Sequence, residues 1–323
     1  MITDPITCWS IRRDDVMKLK KLGNSITSFS EIGLGTWKLI PDSVEVPKVA
    51  AYLFEKGVNF IDTAEMYQNE SELGSMLKTI KHEPFIATKV SPNHLHYSDV
   101  IKSCNESLSR LGVSQITLYQ IHWPNHHINL KETIRAMEYL VEQGKIKYIG
   151  VSNFDQKELE EAMSYTKNSK IVSDQLEYNI AFTEVEDSGL LDFCKSNNVS
   201  VIAYSPLARG QIKNYTELYG VLSSIGEKYN SNAFQVALKY IISDEDVIAI
   251  PKISSMPHAE EIIGCEEFEI SQKDISRIKE AARDIRKPLA GSSLKKILKA
   301  NGSWAKLMEK HERSRINRGG KLD

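Results

Sequence analysis

The stretch Asn59-Phe-Ile-Asp-Thr-Ala-Glu-Met-Tyr-Gln-Asn-Glu70 carries the pattern from which the rest of the chain can be read. Val58, Phe60 and Ile61 form a short apolar run of the kind that makes a buried strand. Asp62 ends that run. Tyr67 follows five residues later, in a loop before a helix that Asn69 or Ser71 can cap. An acid and a phenol at a strand-to-helix junction can face one cleft. Because an Asp at a strand end is more often a turn or cap residue, the weight comes from two later strands that also end in ionisable groups. These are Lys89 in Ala-Thr-Lys-Val and His122 in Gln-Ile-His-Trp-Pro.

Working outward, short apolar runs alternate with amphipathic stretches from residue 31 onward. Strands are expected over 32–34, 60–61, 85–89, 116–122, 148–151, 173–176, 199–204 and 247–250. Helices are expected over stretches such as 46–56, 98–110, 133–143, 157–165 and 187–196, with a last barrel helix from Ser271 to about Arg286. Gly57, Gly112 and Gly144 stand where helix C-terminal caps belong. Residues 17–24 read as a small hairpin with Gly23-Asn24 at its turn. Alternating strands and helices imply a parallel sheet. Eight repeats in 323 residues suit one closed (β/α)8 barrel of the TIM type, whose sites lie at the C-terminal ends of the strands. Asp62, Lys89, His122, Asn153, Gln175, Tyr204 and Lys252 all fall at or just past such ends. No linker splits residues 17–286, so they are expected to form one barrel, with residues 1–16 and 287–323 as extensions.

Composition narrows the function classes. Hydrophobic residues make up 41% of the chain and the formal net charge is -2, so no overall field draws nucleic acid or membrane. The near-balance hides an asymmetry. Residues 286–323 hold eleven Lys or Arg against three acids, a balance of 11 - 3 = +8, which leaves -2 - 8 = -10 for the rest. No apolar run is long enough to span a bilayer, and the N-terminus lacks the regions of a signal peptide. Cys8, Cys104, Cys194 and Cys265 have no metal-ligand spacing. A cytoplasmic location with reduced thiols follows as an expectation.

Asp62, Tyr67, Lys89 and His122, in this order and setting, resemble the catalytic tetrad of the aldo-keto reductases. The resemblance covers residues 17–282. It includes Ile32-Gly-Leu-Gly-Thr-Trp37, Ser107-Leu-Ser-Arg-Leu-Gly112, Gly150-Val-Ser-Asn-Phe154, Gln175-Leu-Glu-Tyr-Asn179 and Ala203-Tyr-Ser-Pro-Leu207. It implies reduction of an aldehyde or ketone to an alcohol, or the reverse, by hydride transfer from NADP(H). Tyr67 would then act as general acid, Lys89 would favour its phenolate, Asp62 would hold Lys89, and His122 would direct the substrate oxygen. It also implies nicotinamide contacts from Thr36, Trp37, Asp62, Ser152, Asn153, Gln175, Tyr204, Ser205, Pro206 and Leu207. Trp37, Tyr67, His122 and Trp123, with Phe154 beside them, would wall the substrate pocket. Each residue also has a plainer reading: Asn153 could cap the helix starting near Gln156, and Phe154 could be core.

The phosphate end departs from the family pattern. In Ile250-Pro-Lys-Ile-Ser-Ser-Met-Pro-His-Ala-Glu-Glu-Ile-Ile-Gly264, Glu261 is kept, Ile262 stands where the family has Asn, and His258 stands where it often has Arg or Gln. Ile250, Lys252, Ser254, Ser255, His258 and Glu261 remain as the cofactor residues, with the helix start near Pro257 as an anion site. NADP(H) is favoured and NAD(H) stays open. The histidines of Asn93-His-Leu-His96 and Asn125-His-His127 raise a metal question, but they lack a carboxylate ligand set in sequence and read as solvated loop residues, with no metal expected.

The partner implied is a small-molecule carbonyl compound; the sequence does not set an oligomeric state. A cofactor-binding regulatory subunit on the same fold, and a metal-dependent barrel hydrolase, are the competing classes. Residues 287–323 read in three ways: as a lid on the substrate mouth, as a solvated basic tail, or as a partner-binding tail. Residues 1–16 are expected to be dispensable.

Overall fold

In the computed structural model, described over residues 17–40, 43–283, Ile285 and Lys310, the expected barrel is present. Apart from Lys310, the N-terminal and C-terminal extensions lie outside the described residues. Strands β1 (Leu19–Lys21) and β2 (Ser28–Ser30) form the antiparallel hairpin. The barrel strands are β3 (Leu34–Gly35), β4 (Phe60–Asp62), β5 (Phe85–Val90), β6 (Ile116–Ile121), β7 (Ile146–Ser152), β8 (Ile171–Glu177), β9 (Ser200–Tyr204) and β10 (Val247–Ile250). They pair in sequence order and in parallel throughout. Parallel bridges from Ile32 to Ala249 and from Gly35 to Lys252 join the first strand to the last. Gly35 permits this closure, because a Cβ there would lie 2.6 Å from the Ile250 carbonyl oxygen.

The helices lie outside the strands. They are α1 (Val46–Glu55), α2 (Glu70–Leu77), α3 (Tyr97–Leu111), α4 (Leu130–Glu142), α5 (Gln156–Tyr165), α6 (Glu184–Asp187), α7 (Leu190–Ser196), α8 (Thr216–Lys228), α9 (Ala233–Ile242), α10 (Met256–Ile263) and α11 (Gln272–Ala282). Gly57, Gly112 and Gly144 end their helices with φ of 90°, 69° and 66°. Two expectations are corrected. The stretch 187–196 is not one helix, because Gly189 at φ 78° separates α6 from α7. The last helix stops at Ala282, short of Arg286.

The hairpin plugs the N-terminal end of the barrel. Leu22 and Phe29 are fully buried among Phe60, Leu118, Ile202 and Ile248, which point inward from four strands. The Phe29 ring stacks on Phe60 at 4.5 Å and on Phe85 at 5.4 Å between centroids. Lys20 is also buried there. It donates to the carbonyl oxygens of Asp244 and Val247, both at 2.9 Å, and lies 3.3 Å from Glu31. With the bottom filled by apolar rings, the polar inward positions are left for the other end, where the site forms.

Phe29→Ala is expected to destabilise the fold by about 3–5 kcal/mol, the usual cost of emptying a buried Phe site. Urea denaturation measures this, and a loss under about 1 kcal/mol would mean that the plug is not part of the core.

Candidate active site

Period-two alternation along the strands aims Asp62, Lys89, Gln120 and Gln175 into the barrel at its C-terminal end. They meet. Lys89 Nζ lies 2.5 Å from Asp62 Oδ1 and donates to the Thr63 carbonyl oxygen at 2.7 Å. Asp62 Oδ2 accepts from Gln175 Nε2 at 2.8 Å and from Gln120 Nε2 at 3.3 Å. All four side chains are buried, and Lys89 has no exposed surface. Burial pulls the Lys89 ammonium down from its ordinary range, and the Asp62 carboxylate opposes that shift.

Tyr67 sits in a single 3-10 turn, Glu65–Tyr67, that follows β4. Its half-buried ring lies over Lys89, with Nζ 5.1 Å from the ring centroid. The same ring meets His122 edge-on at 5.6 Å. His122 follows β6 directly. Burial, reinforced by repulsion from Lys89, pushes its imidazole well below the usual histidine range. It is therefore neutral at pH 7, and its Nδ1 is buried with no hydrogen-bond partner among the described residues. The tetrad read from the sequence is thus one spatial cluster.

The next residues round the mouth form a second polar cluster. Ser152, at the end of β7, donates from Oγ to the Gln175 carbonyl oxygen at 2.7 Å. Asn153 Nδ2 donates to the His122 carbonyl oxygen at 3.1 Å and to Ser152 Oγ at 2.9 Å. Asn153 Oδ1 accepts from the Tyr204 hydroxyl at 2.9 Å. Asn153 is not a helix cap: Asp155 caps α5 in a capping box with Glu158, and Asn153 is held at φ 63° by its own contacts. Ser205, Pro206 and Leu207 follow β9, with Ser205 at φ 51°. Thr36 is fully buried next to Asp62, whose carbonyl oxygen accepts from Thr36 N at 3.0 Å. Thr36 Oγ1 has no hydrogen-bond partner among the described residues.

Trp37 and Trp123 both stand at this mouth, half-buried and buried respectively. Phe154 does not wall the pocket, since it is 1% exposed and packs in the main core. The phosphate end is less open than the sequence suggested. Ile250 ends β10, Lys252 is exposed, Ser254 and Ser255 lead into α10, and His258 is exposed on that helix. The first N–H of α10, that of Met256, already donates to the Glu45 carboxylate at 3.2 Å, so an acid from the β3–α1 loop holds part of the expected anion site. Glu261 accepts from Asn232 Nδ2, at the start of α9, at 2.6 Å.

Several mouth residues were not found from sequence. Gln120 was legible in principle, as an inward polar residue in the apolar strand Ile-Thr-Leu-Tyr-Gln-Ile. Arg209 was not. It lies 5.0 Å from the Trp37 ring centroid, and Lys38 lies 4.7 Å from the same ring. The loop histidines are not simply solvated. His94 pairs with Glu65 at 2.6 Å, His96 with Glu132 at 3.0 Å and His126 with Glu158 at 3.2 Å. Among the described residues no group of three or more His, Cys, Asp or Glu could hold a metal ion.

Comparison with known proteins agrees with this geometry. The model of the aldo/keto reductase family matches residues 31–283. The chain belongs to that family. It is thereby an oxidoreductase of the reductase class rather than a hydrolase. It is 32% identical over 261 residues to methylglyoxal reductase YeaE of Escherichia coli (strain K12), covering 79% of this chain and 91% of that protein. It is 34% identical over 257 residues to the glyoxal reductase of Bacillus subtilis (strain 168), covering 79% and 89%. Among solved structures, a thermostable aldo-keto reductase in complex with the inhibitor epalrestat superposes with a TM-score of 0.77. It is 36% identical, covering 82% of this chain and all of the other. An aldo/keto reductase from Klebsiella pneumoniae in complex with NADP and acetate superposes with a TM-score of 0.74 at 28% identity, covering 84% and 97%. No helix among the described residues is long and apolar enough to cross a membrane.

The depressed pKa of His122 can be read directly. Its imidazole is expected to remain neutral at the pH where a free histidine is half-protonated, near ~6.5, because burial and the Lys89 charge both oppose protonation. Ring NMR shifts of His122 report this, and a midpoint at or above the free value would contradict the burial and the Lys89 contact.

Proposed function

We propose that this chain reduces a small aldehyde or ketone to an alcohol, or runs the reverse reaction, with NADP(H) as the hydride carrier and Tyr67 as the proton donor. The observation that carries the reading is the buried Lys89 ammonium, anchored on Asp62 and lying over the Tyr67 ring. A cation held there stabilises the phenolate that proton donation leaves behind. His122, kept neutral, directs the carbonyl oxygen by hydrogen bonding without adding charge. Trp37 and Trp123 flank the substrate. The relatives that carry the names methylglyoxal reductase and glyoxal reductase make small dicarbonyl compounds the first substrates to test.

The described residues fit a nicotinamide. Thr36 Oγ1 is a buried hydroxyl with unused bonding capacity beside Asp62. Ser152, Asn153 and Gln175 are short polar groups on neighbouring strand ends, and Tyr204 adds a flat ring bonded to Asn153. When bound, the cofactor supplies the hydride. The protein's part is to hold Tyr67, Lys89 and His122 in a buried site. NADP in the Klebsiella pneumoniae structure supports the phosphorylated cofactor. Lys252, Ser254 and Ser255 would hold its 2′-phosphate, with Arg209 and Lys38 adding positive charge at the mouth.

Tyr67→Phe is expected to lower kcat by at least ~10²-fold, the usual contribution of a positioned general acid, while NADPH affinity changes little. The assay follows loss of reduced-cofactor absorbance with methylglyoxal and other aldehydes, and near wild-type turnover would remove Tyr67 from the mechanism. At the phosphate end, Lys252→Ala should weaken NADPH more than NADH. Glu45→Gln should favour NADPH over NADH by roughly 2–5-fold, the range for one exposed charge pair worth about 0.5–1 kcal/mol. Fluorescence titrations with both cofactors measure this; equal wild-type affinity for the two would sink the 2′-phosphate assignment.

A further inference from the structure

Tyr67 is carried by a turn too short to hold it. The turn Glu65–Tyr67 has only two backbone bonds of its own, Tyr67 N to the Ala64 carbonyl oxygen at 3.0 Å and Gln68 N to that of Glu65 at 3.3 Å. It ends at Gln68, a non-glycine residue at φ 53°. One turn of 3-10 helix is not stable by itself, so the position of the phenol depends on side-chain ties to its surroundings.

Besides the contacts of the Tyr67 ring itself, two such ties flank the turn among the described residues. On the C-terminal side, Asn69 accepts from Thr63 Oγ1 at 2.9 Å and donates from Nδ2 to the Thr36 carbonyl oxygen at 3.0 Å. This fixes the turn to the ends of β3 and β4. On the N-terminal side the tie is Glu65. Its Oε2 accepts from Ser91 N at 2.9 Å, and its Oε1 lies 2.6 Å from His94 Nδ1. His94 in turn lies 3.3 Å from Ser103 Oγ on α3. Ser91 is the first residue after β5 and stands two residues past Lys89. The Glu65 carboxylate therefore spans from the turn that bears Tyr67 to the strand end that bears Lys89.

Burial pushes the Glu65 carboxyl up. The His94 and Ser91 hydrogen bonds, with the nearby charges of His94 and Arg110, more than offset it and hold the group below the usual range. The carboxylate is thus charged at neutral pH and can accept both bonds at once.

We propose that Glu65 is a positioning residue: its carboxylate, clamped between the Ser91 amide and His94, sets the Tyr67 phenol against Lys89. It takes no part in proton transfer itself. The inference rests on the reading of Tyr67 as proton donor. Small displacements of a reacting group can cost up to ~10²-fold in rate, so loss of the clamp should appear in turnover rather than in binding.

The test is a double-mutant cycle with Tyr67→Phe. Glu65→Ala in the full chain should lower kcat about 10-fold. KM for methylglyoxal and NADPH affinity should stay within about 2-fold, and the melting temperature should stay close to wild type. Glu65→Gln keeps one acceptor oxygen for the Ser91 amide and should recover much of the loss. In the Tyr67→Phe background, Glu65→Ala should have almost no further effect, because the group it positions is gone. If Glu65→Ala does not fold, His94→Ala removes one leg of the clamp and should give a smaller loss, equally silent on Tyr67→Phe. An undiminished kcat in Glu65→Ala, or in His94→Ala if it alone folds, overturns the proposal. So does an equal loss with and without the Tyr67 hydroxyl, which would mark Glu65 as structural only. A Tyr67→Phe enzyme with wild-type turnover would fail the proton-donor reading itself and take the clamp with it.

Discussion

The ion pair between Lys89 and Asp62 is the contact on which the rest of the mouth depends. An ammonium with no exposed surface loses several kcal/mol of hydration. Here the loss is offset by the Asp62 carboxylate and the Thr63 carbonyl oxygen. The second Asp62 oxygen is satisfied by two glutamine amides from β6 and β8. Four strands thereby converge on one carboxylate. The arrangement fixes the charge of its neighbours too. Lys89 opposes protonation of His122, so the site presents one cation and one neutral imidazole instead of two competing cations.

The eight strands were legible because each is a short apolar run bounded by turn residues, and each was placed within two residues of its observed ends. The tetrad was legible because Asp62, Lys89 and His122 sit at strand ends and Tyr67 in the loop just past one, where a barrel gathers its chemistry. Helix α9 carries a weaker pattern. Val236 through Ile242 are all buried, so it has no polar stripe to give a helical period. The Glu65–His94 and Arg209–Trp37 contacts were not legible for another reason. They join loops across the mouth, and no sequence spacing encodes which loop meets which. The Glu45 contact at the start of α10 joins residues 211 positions apart. Asn153 was ambiguous between cap and site until Asp155 proved to be the cap.

The backbone at the mouth is held away from its local preference. Of the eight non-glycine residues with positive φ among the described residues, six lie on the strand-end loops there: Lys38, Gln68, Asn153, Ser205, Ala208 and Arg209. Each costs of order 1 kcal/mol or more relative to an ordinary backbone conformation. Such positions persist only where surrounding contacts over-determine them. Asn153 shows how, with its side chain bonded in three directions.

The seam between β3 and β10 has a consequence for how the molecule is made. Ile32 and Gly35 meet Ala249 and Lys252 across more than two hundred residues, through bridges alone. During synthesis, at about 5–20 residues per second, the first barrel strand waits roughly 10–40 s for its last neighbour. Over that interval one side of β3, and the growing edge of the sheet, present unpaired amides and carbonyls to whatever is near. The hairpin can shelter only part of the barrel floor meanwhile, since Phe60 and Leu118 are made early but Ile202 and Ile248 arrive with the last two strands. Association during synthesis, rather than loss of the finished barrel, is then the hazard that this topology carries for the living cell.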